Sequence, residues 1–127
     1  MIDTIHTPDA PRPAGHYSQA VVHGGTVYVA GILPFDPADP DAPFGSIRDQ
    51  TRRVLTSLQG VLEGAGSGLD RLLQVTVYVT DLGSWGQVNE VFAELLGDHR
   101  PARAVVPVLP LKRNAGLELM AVAAVRE

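Results

Sequence analysis

The chain of 127 residues contains no cysteine, which excludes disulfide bonds, thiol nucleophiles and thiolate metal sites together. It also has no apolar run that approaches the roughly 20 residues needed to cross a bilayer. Its first residues lack the basic start and the apolar stretch of a signal peptide. We therefore expect a single soluble domain over residues 1–127, located in the cytoplasm and without a membrane partner.

Positive charge is sparse and scattered along the sequence. The chain carries 10 Lys and Arg against 14 Asp and Glu, which gives a formal net charge of −4. Nucleic-acid binding needs clustered basic side chains that neutralise phosphates. The composition therefore argues against a nucleic-acid partner, while a hydrophobic content of 45% is enough to form a core at this length.

Familiar catalytic and cofactor motifs are missing as well. The sequence has no Gly-rich phosphate loop, no nucleophile elbow and no pair of histidines at metal-ligand spacing. Its four histidines, His6, His16, His23 and His99, are scattered over predicted loops and turns. A metal site needs three or four converging ligands, so we interpret them as surface imidazoles and expect no metal.

Hydrophobic periodicity predicts an α+β domain. Alternating apolar residues indicate strands, a Gly-Gly pair at 24–25 indicates a tight hairpin turn, and apolar spacing of three and four residues indicates two helices. The residues up to Gly15 are predicted to be extended. The resulting order is β-β-α-β-α-β-β, with strands at 17–22, 26–31, 74–79, 104–109 and 117–125 and helices after Ser46 and from Ser84 to Leu96. This order suits a mixed sheet with both helices on one face.

The last two strands are apolar on both faces. Leu117, Leu119 and Ala121 alternate with Met120 and Val122, and residues 104–109 contain no polar side chain. Two helices can cover only one face of a sheet, and a monomer would expose an unusually large apolar patch on the other. We therefore expect a homo-oligomer, with Val105, Met120 and Val122 near its interface.

Arg103 and Glu118 are the two charges within these apolar runs. A charge in apolar surroundings costs several kcal/mol unless it is paired or faces a ligand. One interpretation is a structural ion pair across a final hairpin. If the loop centres near Lys112, Arg103 faces Val122, about 13 Å along the strand from Glu118, so this pairing would need a bulge. The other interpretation is that Arg103 binds a carboxylate of a ligand, and both remain open at this point.

Several segments resemble the reactive-intermediate deaminase (Rid, YjgF-like) family, in the same order and over nearly the whole chain. These segments are 15–20 (GHYSQA), 29–34 (VAGILP), 75–82 (VTVYVTDL), 88–92 (VNEVF), 100–103 (RPAR) and 117–119 (LEL). The Pro-Ala-Arg element before an apolar strand is the most specific of them. The resemblance implies a chorismate-mutase-like fold, a homotrimer with active sites between subunits, and hydrolysis of 2-imino acids to 2-oxo acids and ammonia without a cofactor.

The resemblance also implies roles for individual residues. Arg103 matches the arginine that binds the substrate carboxylate, and Glu118 matches the glutamate associated with the attacking water. Tyr17 and Asn89 match polar pocket residues, and Gly31 matches a backbone contact. From the residues alone, Tyr17 is equally interpreted as an interface aromatic and Asn89 as a solvated helix amide.

Two positions depart from the family's best-studied deaminases. Ala30 stands where they have a serine, and Val105 stands where they have a cysteine. Both changes make the predicted pocket more apolar. We therefore predict a deaminase of the 2-iminobutanoate/2-iminopropanoate type, and keep two alternatives: a non-catalytic trimer that binds small carboxylates or proteins, and a hydrolase for a different amine.

Overall fold

A computed structural model describes all 127 residues, and its six strands form one sheet. Two helices and three short 3₁₀ turns complete the chain. In order, the elements are β1 (Asp3–Ile5), β2 (Ala20–His23), β3 (Thr26–Ile32), α1 (Ile47–Gly64), β4 (Leu72–Val79), α2 (Trp85–Leu96), β5 (Ala102–Pro107) and β6 (Leu117–Ala124). The predicted α+β class, mixed sheet and two helices are confirmed, whereas strand β1 lies in a segment predicted only to be extended.

Helix α1 begins and ends where its sequence signals lie. The Ser46 hydroxyl accepts a hydrogen bond from the backbone N–H of Asp49 at 3.1 Å, and the Asp49 carboxylate accepts one from the N–H of Ser46 at 3.1 Å. This reciprocal capping box satisfies two N–H groups that the first turn leaves free. The helix ends at Gly64, and Gly66 has a φ of +75°. The predicted boundaries of this helix are confirmed.

The β2–β3 hairpin turns at Gly24 and Gly25, whose φ angles are +58° and +78°. Two consecutive positive φ angles define the turn type that best joins two twisted strands, and glycine adopts them without steric cost. This hairpin was predicted from the Gly-Gly pair and is confirmed. The residues from Tyr17 to Gln19 precede strand β2 rather than forming part of it.

The strand order β1-β2-β3-β6-β4-β5 corrects the predicted pairing of the last two strands. Strand β5 is not a hairpin partner of β6: it runs parallel to β4, while β6 lies between β3 and β4 and is antiparallel to both. Helix α2 connects β4 to β5, and a helical crossover is the usual way to place two consecutive strands parallel. The predicted pairing of Arg103 with Val122 was therefore wrong, because Arg103 lies opposite Val75 of β4.

Both helices cover one face of the sheet. Leu117, Leu119, Ala121 and Ala123 point into the core that these helices form, whereas the opposite, open face exposes Tyr28 at 48% and Met120 at 42%. Val105, which we expect near the oligomer interface together with Met120 and Val122, lies on the other face of the sheet from these two residues, and its place at an interface stays a prediction. Val105 lies opposite Val77, which is fully buried, and packs against the core on the helix side.

Neither helix combines the length and the apolar character that crossing a membrane would require.

Candidate active site

Arg103 lies at the start of β5, on the face that helix α2 covers. Its Nη2 donates a hydrogen bond to Oδ1 of Asn89 at 3.0 Å. Its guanidinium carbon lies 4.9 Å from the ring centre of Phe92 and 5.7 Å from that of Trp85. Trp85, Asn89 and Phe92 follow at i, i+4 and i+7, so one face of α2 surrounds the guanidinium. Such cation–π contacts stabilise a partly desolvated cation.

The guanidinium of Arg103 has no carboxylate partner in the chain. The four ion pairs join Arg48 to Glu90, Arg52 to Glu94, Arg53 to Asp36 and Arg126 to Asp70. Burial lowers the pKa of Arg103 because it disfavours the charged form. Arginine has five N–H donors in a planar fork, and only one hydrogen bond is made here. The remaining donors face an open groove of about 530 Å³ between α2 and the start of β5 and suit a carboxylate bound in a bidentate manner.

Glu118 lies on the open face of the sheet, beside an irregularity in β3. The register of β3 and β6 shifts between Val29 and Ile32, so Ala30 and Gly31 together oppose Met120. A Cβ atom at Gly31 would overlap the Glu118 carboxylate. A side chain at position 31 would therefore push the Glu118 carboxylate away from its present position, which gives Gly31 a steric role in forming the pocket.

The Glu118 carboxylate makes neither an ion pair nor a hydrogen bond with another group of the chain. Burial raises its pKa above the ordinary value of a glutamate. A carboxyl group whose pKa moves toward neutrality is better suited to accept a proton and return it during a reaction. Glu118 thus has the electrostatic environment of a general base.

Glu118 opens into a cavity of about 70 Å³, which Tyr17, Ala30 and Gly31 also line. Tyr17 is half exposed, and its hydroxyl accepts a hydrogen bond from the N–H of Ala14 at 3.2 Å. This hydroxyl donates no hydrogen bond within the chain, so its proton is available to a ligand. The structure therefore brings four of the candidate residues, Tyr17, Ala30, Gly31 and Glu118, together in one pocket.

One residue that forms this pocket was not predicted to matter. The side chain of Gln19 is buried, accepts a hydrogen bond from the N–H of Thr7 at 2.7 Å, and donates to the carbonyls of Thr7 and Pro11 at 3.0 Å each and of Ala10 at 3.4 Å. These bonds attach residues 7–11 to the sheet, and Ala10 and Pro11 form a wall of the pocket. The available signal was a polar amide next to an apolar strand, since a buried amide needs several partners.

The chain does not bring Arg103 and Glu118 together. Arg103 pairs with Val75 on the helix-covered face, whereas Glu118 pairs with Tyr78 on the open face. The two positions also differ by three residues along β4, which is roughly 10 Å. The predicted site residues therefore form two groups: Arg103, Asn89 and Val105 on one face, and Glu118, Tyr17, Ala30 and Gly31 at the other. An ion pair between Arg103 and Glu118 within one chain is excluded.

No three His, Asp or Glu side chains converge on one point. His99 uses its Nε2 in a 2.8 Å hydrogen bond with the carbonyl of Leu72, which gives this imidazole a structural contact.

Comparison with known proteins places these residues in a wider context. Residues 7–125 match a family model described as Endoribonuclease L-PSP. A RutC family protein of Pyrococcus horikoshii is 41% identical over 123 residues, which cover 97% of this chain and 98% of that protein. A protein of Dermatophagoides farinae named 2-iminobutanoate/2-iminopropanoate deaminase is 33% identical over 115 residues, covering 91% and 90% of the two chains.

Similarity extends to solved structures. The crystal structure of E. coli TdcF with bound serine matches with a TM-score of 0.91 and 30% identity, and the match covers 98% of this chain and 99% of that one. The shared region is thus nearly the full length of each protein.

Proposed function

The chain belongs to the Rid (YjgF-like) family, which the Endoribonuclease L-PSP model describes, and on this premise we propose that it hydrolyses 2-imino acids to 2-oxo acids and ammonia. The observation that carries the proposal is a pair of unpartnered charges: a guanidinium held by Asn89 and two aromatic rings, and a carboxylate of raised pKa in a small pocket. A 2-imino acid needs both, a cation for its carboxylate and a base for the attacking water. The names of two similar proteins support this choice, one as a deaminase and one with bound serine.

The active site forms, in this proposal, between subunits of a homotrimer. Arg103 and Glu118 lie on opposite faces of one sheet, so Arg103 of one subunit meets Glu118 of a neighbouring subunit. The open face supports such an assembly because it exposes Tyr28, Met120 and Val106. Large apolar areas of this kind are covered in oligomers. A closed ring of identical, head-to-tail contacts gives each subunit one copy of each half.

Binding begins with the carboxylate of the substrate. Arg103 donates two N–H groups to the two carboxylate oxygens, and Asn89 keeps the guanidinium in the orientation that this requires. The clamp fixes the position of C2, the carbon that reacts. Positioning of this type supplies much of the rate enhancement when the substrate is already electrophilic, as an imine is.

Hydrolysis then proceeds through one tetrahedral intermediate. The oxygen of a water molecule attacks C2 while the Glu118 carboxylate accepts a water proton, and the electron pair of the C=N bond moves to nitrogen. Because the imine is protonated, the attack leaves an –NH2 group, to which Glu118 returns this proton. Glu118 then accepts the hydroxyl proton of the intermediate as the C=O bond forms, the C–N bond breaks with its electron pair and ammonia leaves, and the proton left on Glu118 passes to the ammonia. Tyr17 donates a hydrogen bond to the departing nitrogen. The products, a 2-oxo acid and ammonia, contain all the atoms of the imine and of one water.

RNA is a less suitable substrate for this chain, although the family description names an endoribonuclease. The net charge is −4, and Arg48, Arg52, Arg53 and Arg126 are each engaged in an ion pair. Phosphate binding depends on free, clustered cations. We therefore propose that small-molecule hydrolysis, not RNA cleavage, is the activity.

A trapping assay tests the proposal. A threonine dehydratase generates 2-iminobutanoate in the presence of semicarbazide, which captures the imine before it hydrolyses. We expect the protein to lower the yield of trapped imine in proportion to its concentration, and the Arg103→Ala variant to leave it unchanged. Equal trapping with and without the wild-type protein would refute imine hydrolysis.

The same assay separates the alternative functions. Ala30 and Val105 remove two polar groups from the surroundings of Arg103 and Glu118, which is the feature that favours a non-catalytic carboxylate binder. Such a binder would be stabilised thermally by 2-oxobutanoate yet would not compete with semicarbazide. A hydrolase for a different amine would neither compete nor be stabilised.

A further inference from the structure

Phe35 forms part of the wall of the Glu118 pocket and belongs to a cluster that no step of the reaction uses. Its ring meets that of Phe44 edge to face, with the ring centres 5.3 Å apart and an angle of 80° between the planes. This is a preferred geometry for an aromatic pair. The two rings come from the loop between β3 and α1, which has no regular structure of its own over most of its length.

The side chain of Arg113 stacks on both rings. Its guanidinium carbon lies 5.3 Å from the centre of Phe35 and 5.0 Å from that of Phe44, and its Nη1 donates to the carbonyl of Pro40 at 2.6 Å. The backbone of Arg113 and Asn114 has φ angles of +50° and +60°. Residues with a Cβ rarely occupy this region, and two in succession require surrounding contacts that hold them there. The loop between β5 and β6 is therefore fixed where Arg113 reaches both rings.

The pocket that Phe35 borders has a polar mouth and an apolar floor. Glu118, Gly31 and Tyr17 retain contact with solvent, whereas Ala10 and Val61 are almost completely buried. Its volume is about 70 Å³. An apolar cavity of about 150 Å³ holds a benzene molecule, so this one has room for roughly three heavy atoms.

We propose that Phe35, held by Phe44 and Arg113, limits the size of the Glu118 pocket and restricts the protein to 2-imino acids with short aliphatic side chains of roughly three heavy atoms. This inference rests on the proposed function, because Glu118 at the mouth places C2 of the substrate there and directs its side chain toward the apolar floor. Phe35 is then the residue that determines specificity. Arg113 is a positioning residue that acts through Phe35.

Competition with semicarbazide over a series of substrates tests the size limit. An amino acid oxidase generates 2-imino acids with side chains of two and of four carbons. We expect wild-type kcat/KM to fall at least about tenfold between the two, the range that added methylenes produce in a tight pocket. Phe35→Ala should reduce this discrimination between the two substrates about tenfold.

Two glycine variants in the loop between β5 and β6 distinguish the effect of losing the contacts with the rings from the effect of a more flexible loop. Arg113→Gly removes the guanidinium but suits the positive φ, and we expect a smaller shift toward longer substrates. Asn114→Gly suits the adjacent positive φ and leaves the cluster intact, so it should keep the wild-type preference. The inference is overturned if wild type hydrolyses both substrates equally well, or if Asn114→Gly shifts the preference as far as Arg113→Gly.

A binding measurement keeps the size limit distinct from the reaction. Thermal stabilisation by 2-oxobutanoate and 2-oxohexanoate reports pocket size without turnover. We expect only the shorter acid to stabilise wild type, and both to stabilise Phe35→Ala. If wild type hydrolyses no imine, the proposed function fails, but the two oxo acids still test the size limit. Equal stabilisation of wild type by both acids refutes the size limit.

Discussion

The two halves of the candidate site are built in different ways. The Arg103 half consists of one helix face and one strand, with Trp85, Asn89 and Phe92 at regular spacing on α2. The Glu118 half depends on irregular segments: a bulge at Gly31, an N-terminal stretch attached by Gln19, and a loop fixed by Arg113. The difference indicates a division of labour, in which a rigid half binds the carboxylate common to all substrates and a loop-built half accommodates the part that varies.

The largest expected effect comes from removing the cation of the rigid half. Arg103→Lys keeps a charge but loses the bidentate geometry, and Arg103→Ala loses both, so kcat/KM should fall about 100-fold or more in each. Stability should change by less than about 1 kcal/mol because no carboxylate is left unpaired. Imine hydrolysis and thermal melts on the same two variants check this.

A stability loss of roughly 3–5 kcal/mol with normal turnover would instead identify Arg103 as part of a structural ion pair. In that case the Arg103 half would not bind the substrate carboxylate, and the two halves would not differ in function as described above.

Mixing two inactive variants tests whether the halves come from different subunits. Arg103→Ala and Glu118→Gln each disable every site of their own oligomer. If a site takes one half from each of two subunits, random mixing should restore about a quarter of wild-type activity, since about one site in four then has both intact halves. The measurement is turnover after the two proteins are denatured and refolded together.

Separately refolded variants combined without exchange provide the control and should stay inactive. Absence of recovery after refolding together, with oligomers confirmed by light scattering, would refute a site that combines Arg103 and Glu118 of two subunits.

Disturbing the loop-built half should have a smaller effect. Gln19→Leu leaves the Thr7 N–H and the carbonyls of Ala10 and Pro11 without their partner, which should cost about 1–3 kcal/mol of stability. The pocket wall then loosens, and kcat/KM should fall about tenfold while the carboxylate clamp is preserved. Urea denaturation and steady-state kinetics measure the two effects.

Gln59→Leu is the matched control, because Gln59 is exposed on α1 and makes a single long hydrogen bond to Glu63. Equal stability losses in the two variants would show that Gln19 has no special role in the pocket.

The smallest expected effect is the pH dependence of stability at Glu118. The pKa of Glu118 is higher in the folded state than in the unfolded state. Between these two pKa values, the folded state therefore binds more protons than the unfolded state. The free energy of unfolding should therefore decrease as pH rises through that interval, which starts near the ordinary glutamate pKa of about 4.3. Glu118→Gln lacks this penalty and should be more stable than wild type at neutral pH, by less than about 1 kcal/mol because the carboxylate retains contact with water.

Denaturation of both proteins from pH 4 to pH 8 measures the difference, with Glu63→Gln as the exposed carboxylate control. A constant difference across this range would contradict a protonation effect of Glu118.

The sequence predicts the regular part of this protein better than the irregular part. The capping box at Ser46, the Gly-Gly turn and the spacing of α2 are local signals, and each produced a correct element. The partner of β5 was predicted wrongly because strand pairing depends on contacts far apart in sequence, which local patterns do not encode. The same long-range pairing puts Val105 on the face of the sheet opposite Met120, which the sequence does not indicate.

The candidate residues themselves were identified from the sequence and its family resemblance, whereas their arrangement was not. Arg103 and Glu118 stood out as charges in apolar strands, yet nothing local indicates that they occupy opposite faces. Gln19 and Phe35 were missed because their contacts are with segments that have no periodic pattern. Pocket walls made of such segments become visible only when side-chain partners are known.

The central position of β6 has a consequence for how the protein is made. Strand β6 is the last strand of the sheet to be synthesised. It alone joins the three strands β1–β3 to the pair β4 and β5 within the single sheet. Until residues 117–124 emerge, the nascent chain has two partial sheets with unpaired inner edges, and such edges are prone to pair with other chains. The sheet can therefore close only after residues 117–124 have left the ribosome, and a ribosome that stalls before that point would display an aggregation-prone intermediate.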